Sequence, residues 1–161
     1  DTDRSRGLGD VYKRQDMDKA IGDYLEDLSV DLIVLAGYMK ILTKQFTQRF
    51  AGKILNIHPS LLPKYPGLDT YQRALENGDS EHGTTVHFVN EKVDSGAIVL
   101  QAKVPIFPGD TVEEIELRTR EQEYHIYPLV IKWFVEDRLK LIENQAYLDS
   151  KPLPQNGYAN E

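Results

Sequence analysis

Residues 32–59 read LIVLAGYMKILTKQFTQRFAGKILNIHP, and the order of apolar runs in that stretch decides the fold class. Leu32-Ile33-Val34-Leu35-Ala36 is a continuous apolar run closed by Gly37, which suits a strand covered on both faces in a parallel sheet. A short helix is predicted from Lys40 to Phe50, and Ile54-Leu55-Asn56-Ile57 forms a second buried strand that ends before Pro59. Upstream, Ala20, Ile21, Tyr24, Leu25 and Leu28 fall at helical spacing with acidic residues between them, so Asp18 to Leu28 reads as an amphipathic helix. Helix, strand, helix, strand implies a right-handed parallel crossover. In such open sheets ligands gather outside the carboxyl ends of the strands, where Asn56 and His58 fall.

Beyond this unit, Pro59, Pro63 and Pro66 exclude regular pairing, and Thr70 to Asn77 makes a short helix stopped by Gly78. Thr84–Asn90 and Ala97–Ile106 flank the turn Asp94-Ser95-Gly96 and read as a hairpin. Thr111 with Glu114 is a capping box opening a long helix, apolar at Ile115, Tyr124, Tyr127, Val130, Ile131 and Phe134. Leu139 to Ile142 reads as a late strand before a polar, proline-rich tail. The 161 residues suit one domain, and a domain of this size buries roughly 68 to 70% of its unfolded surface.

A net charge of −7 argues against nucleic acid as the main partner, since phosphate binding needs clustered Lys and Arg. With no cysteine there is no disulfide or thiolate chemistry, which fits a reducing cytoplasm. No apolar run approaches a membrane span, and no secretory signal is visible.

Asn56, His58 and Asp94 are an amide, an imidazole and a carboxylate, each at or near the end of an apolar run. When an amine attacks a formyl group, the carbonyl oxygen gains negative charge and the amine loses a proton. An Asn56 amide can donate to that oxygen, His58 can move protons near neutrality, and Asp94 can favour the imidazolium. Such chemistry needs no metal. Taken singly, Asn-x-His at a strand end is also a turn-forming pair, and Asp94 before Ser-Gly is also a simple hairpin turn.

The longer stretch NIHPSLLPKYPGLDTYQRALENGDSEHGTTVHFVNEKVDSGAIVLQAKVPI, with VDLIVLAGYMKIL upstream and REQEYHIYPLVIKWF and QNGYA downstream, resembles the folate-dependent phosphoribosylglycinamide formyltransferases. The resemblance covers residues 16 to 161 and implies an α/β fold: an open, mostly parallel Rossmann-like sheet with a C-terminal hairpin and long helix. It implies formyl transfer from 10-formyltetrahydrofolate to glycinamide ribonucleotide in purine synthesis, with Asn56, His58 and Asp94 as the catalytic set and no metal. It places the folate against Leu35, Met39, Lys40, Ile41, Leu42 and Asn56, closed by Val89, Asn90, Glu91 and Asp94. Glu123 matches a residue on the ribose hydroxyls, while Lys64 is left open between substrate phosphate and solvent. Related folds carry formyltetrahydrofolate deformylases and methionyl-tRNA formyltransferases. KYPGL and ALENGDSEHGTTVHFV resemble the glycinamide enzyme more than either.

Residues 1–15 show little apolar patterning and are expected to be a non-native or disordered tail, leaving 16–161 as the formyltransferase domain. Members of this family open with a strand, a glycine-rich turn and a helix that hold the substrate phosphate. None is visible here, so the resemblance implies an N-terminally incomplete domain without its first strands. Lower stability, weak transfer and partial folate binding are the corresponding expectations. A truncated folate-binding fragment without activity, or a deformylase, is the alternative.

Overall fold

The computed structural model describes residues 2–37 and 42–159, with side chains from residue 13 onward. Its main sheet holds β1 (Ile33–Leu35), β2 (Ile54–His58), β3 (Glu81–Phe88) and β4 (Ile98–Pro105), hydrogen-bonded in that order. β1 and β2 run parallel, with Leu35 beside Asn56; in the chain α2 (Lys44–Arg49) lies between them and α3 (Thr70–Glu76) follows β2. The β3–β4 hairpin continues the sheet antiparallel, placing His87 beside Asn56 and Thr85 beside His58. The result is the expected α/β architecture.

Because side chains alternate along a strand, β2 divides its residues between two faces. Ile54 packs with Phe46 of α2 and Phe50 just after it on one, and Asn56 and His58 continue that face toward the strand's end. Leu55 on the other face joins Val86, Phe88 and Val99 against Tyr127, Val130 and Trp133 of α4 (Val112–Val135). The Tyr127 hydroxyl ties helix to sheet, lying 2.5 Å from Leu35 O and 3.1 Å from Leu55 O. The capping box forms as expected, Glu114 N–H donating to Thr111 Oγ1 at 3.2 Å and Thr111 N–H to Glu114 Oε2 at 3.4 Å.

Several expectations are corrected. β1 is only three residues long and Val34 is 40% exposed, so this strand is not covered on both faces. α1 spans Thr2–Asp27. Its anticipated apolar face points largely outward, with Ile21, Tyr24 and Leu28 exposed. The packed side is mixed: Leu25 meets the Phe46, Phe50 and Ile54 cluster, Thr43 N–H donates to buried Asp18 Oδ2 at 2.8 Å, and Arg49 reaches back to Asp23 and Glu26. On α4, Tyr124 is exposed, because the buried residues Ile115, Thr119, Ile126, Val130 and Trp133 define a face that excludes it. The polar tail also folds: β5 (Leu139–Ile142) pairs with β6 (Gln145–Leu148) and that with β7 (Lys151–Pro152), burying Leu148 and Leu153 in the core.

Candidate active site

The carboxyl ends of β1 and β2 open into a cleft of about 700 Å³. Asn56 and His58 share a face there by their two-residue spacing, and Pro59 stops the strand. Asp94 arrives from the β3–β4 connection with φ of 52°. Gly96 is what allows that connection to fold down onto the strand end: a Cβ at this position would lie 1.6 Å from Phe88 O. Phe88 N–H closes the neck by donating to Ala97 O at 2.9 Å.

His58 is almost fully buried, its Nδ1 3.4 Å from Asp94 Oδ1. Its other nitrogen, Nε2, lies 2.8 Å from the carbonyl of Tyr65. A carbonyl can only accept, so Nε2 carries the hydrogen and the neutral ring keeps its lone pair on Nδ1, toward Asp94. Asp94 Oδ2 accepts from Gly67 N–H at 2.8 Å, which fixes the carboxylate from its other side. The Asn56 side chain makes no hydrogen bond to any described residue.

Leu35, Leu42, Val89, Asn90, Glu91 and Glu123 line the same cleft, so every predicted site residue within the described set converges on it. Met39, Lys40 and Ile41 lie outside the described residues. Glu123 sits on α4 with Oε1 3.3 Å from the Thr84 hydroxyl, and burial raises its carboxyl above the ordinary value. Lys64 turns away from the cleft, its ammonium 3.4 Å from Asp79.

Sequence reasoning assigned no role to His87, Tyr71 or Arg120, which also line the cleft. His87 Nδ1 donates to Phe88 O at 2.9 Å, while Nε2 is buried without any partner. Burial holds this imidazole below its ordinary pKa, so Nε2 is a bare acceptor. No local signal marked it: β3 reads EHGTTVHF, and His82, Thr84 and Thr85 are buried in it beside His87.

Leu35, Leu42, Ile57 and Val89 give the cleft apolar surface, the usual lining of a small-molecule site.

Residues 5–131 match the formyl transferase family. The phosphoribosylglycinamide formyltransferase of Haemophilus influenzae is 80% identical over 146 residues, spanning 91% of this chain and 69% of the relative. A solved phosphoribosylglycinamide formyltransferase from Coxiella burnetii superposes with a TM-score of 0.86 at 43% identity, covering 90% of this chain and 68% of that one. A formyltetrahydrofolate deformylase from Pseudomonas syringae is more distant, at 29% identity and a TM-score of 0.75 over 81% of this chain and 44% of its own.

Proposed function

The chain belongs to the formyl transferase family and is a formyltransferase of purine biosynthesis, and we propose that Asn56, His58 and Asp94 carry its chemistry. The observation supporting that reading is the Asp94–His58–Tyr65 chain of contacts at the mouth of β2, with the unpaired Asn56 amide beside it. Bound in this cleft, 10-formyltetrahydrofolate supplies the formyl group. The acceptor is the amino group of 5'-phosphoribosylglycinamide.

Asn56 donates a side-chain N–H to the formyl oxygen as negative charge develops on it. An oriented donor in a dry site contributes roughly 2.7 to 4 kcal/mol. His58 takes the proton of the attacking amine at Nδ1, the nitrogen left bare by the Tyr65 carbonyl, and returns a proton to the leaving nitrogen. Asp94 stabilises the imidazolium between those events. Glu123, backed by Thr84, holds the ribose hydroxyls. Leu35, Leu42, Val89, Asn90 and Glu91 enclose the folate. A cytoplasmic location accords with the cysteine-free sequence; no described helix is long and apolar enough to cross a membrane.

The test is formyl transfer measured with both substrates, alongside formate release without the amine. His58→Ala and Asp94→Asn are each expected to lower transfer by about 10² to 10⁴, the usual contribution of positioned acid–base groups. Unchanged turnover in either variant would remove that residue from the mechanism. Formate release as fast as transfer would instead favour the deformylase reaction.

A further inference from the structure

We propose that Tyr65, Asp79 and Arg73 form a latch, outside the cleft, that selects which nitrogen of His58 is basic. The inference rests on His58 acting as the acid–base group. Its geometry is independent of that reading.

Two acceptors compete for the single proton of a neutral His58 ring. Asp94 Oδ1 faces Nδ1 at 3.4 Å, and the Tyr65 carbonyl faces Nε2 at 2.8 Å. A carboxylate is the stronger acceptor, and left alone it would draw the hydrogen onto Nδ1. That tautomer puts the lone pair on Nε2, turned to the loop and away from the carboxylate that stabilises the charged ring. The working tautomer therefore depends on the Tyr65 carbonyl being held close.

The holding groups are all visible. Tyr65 has φ of 53°, a left-handed conformation that a bulky residue adopts only when its surroundings demand it. Its hydroxyl donates to Asp79 Oδ2 at 2.5 Å, and Asn77 Nδ2 donates to the other oxygen of Asp79 at 2.8 Å. The guanidinium of Arg73 stacks 5.1 Å from the Tyr65 ring centre, and its Nη1 donates to Pro66 O at 2.6 Å and Leu68 O at 3.2 Å. Ser60 Oγ lies 2.5 Å from Lys64 O and 3.2 Å from Tyr65 O, gripping the loop from below. Two residues on, Gly67 N–H meets Asp94 Oδ2, so the same short loop orients both members of the acid–base pair.

Tyr65, Asp79 and Arg73 do not line the cleft and so act as positioning residues. The experiment is 15N NMR of the His58 ring in the intact chain, at a pH where the ring is neutral, with steady-state kinetics beside it. Wild-type chain is expected to show the Nε2–H tautomer. Tyr65→Phe and Asp79→Ala should move the ring toward Nδ1–H and lower kcat about ten- to a hundredfold with little change in the folate KM. Asp79→Asn, which still accepts from the Tyr65 hydroxyl, should restore both readings. Circular dichroism verifies that each variant is folded.

An unchanged Nε2–H tautomer in folded Asp79→Ala overturns the latch, as does an Asp79→Asn variant no better than alanine. Loss of tautomer control with turnover insensitive to His58→Ala would leave the latch standing and refute His58 as the acid–base group.

Discussion

One nitrogen in the cleft is left in an expensive state. His87 Nε2 is buried without a hydrogen-bond partner, and such a group costs about 1 to 3 kcal/mol. A ligand N–H reaching it recovers part of that cost on binding. His87→Leu removes both the bare acceptor and the bond to Phe88 O, so stability of the free chain is expected to stay within about 1 kcal/mol of the parent. Affinity for a folate analogue is expected to fall about three- to tenfold, the worth of one neutral hydrogen bond. Equal affinity in calorimetric titrations of the two proteins would show that no ligand donor meets Nε2. At this scale the meeting of Asn56, His58 and Asp94 in one cleft was legible only through the long stretch around them, since each taken singly also reads as a turn. His87 was not, because a histidine inside a strand looks the same in sequence whether its ring nitrogens are satisfied or bare.

Elements explain which side chains could be foreseen. The start of α4 was readable because a capping box is local, Thr111 and Glu114 needing only each other. The face of α1 was not, since periodicity shows that a helix has an apolar side but not whether a neighbour covers it. Here Leu25 packs and Asp18 and Arg49 make polar contacts, while Ile21 and Tyr24 face out. The β5–β6 turn escaped notice for another reason. Glu143 and Asn144 both take positive φ, the I′ hairpin geometry, but without the glycine that usually advertises it. The β3–β4 connection gives the sharpest element-scale prediction. Gly96→Ala drives a methyl into Phe88 O, so the neck must open and Asp94 must move, costing about 1 to 3 kcal/mol in stability and most of the turnover. Gly109→Ala is the control: it has φ of 85° but nothing within 4 Å, so it should carry backbone strain alone and leave turnover intact. Parallel urea melts and transfer rates separate the two. Equal behaviour would mean that the hairpin neck does not position Asp94.

Across the whole molecule, the central strand β3 couples the site to global stability. Every residue of β3 after Glu81 is buried, and two of them, His82 and His87, are histidines. Burial is the leading cause that holds both below the ordinary histidine pKa, against the opposing pull of their backbone hydrogen bonds to Pro59 and Phe88. In the unfolded chain both return to about 6.5. As pH falls below that value the unfolded state takes up protons that the folded state refuses, so stability is complete above about pH 6.5 and declines beneath it. With both groups contributing, the limiting slope approaches about 2.7 kcal/mol per pH unit until the folded-state values are reached. Asp79 and Asp149 have lowered folded values, so their contributions persist until the pH falls into the ordinary carboxylate range near 4. The interval from pH 7.5 to 5.5 therefore excludes those two carboxylates. The raised carboxyl of Glu123 acts there against the histidines, since its folded form holds a proton that the unfolded form releases. Urea denaturation across it should show a clear loss of unfolding free energy in the parent. His87→Leu should flatten the curve by about half its slope, since one of the two proton acceptors is gone from the unfolded state. A parent curve that stays level over those two units would mean that the buried imidazoles take up protons without unfolding the strand that carries them.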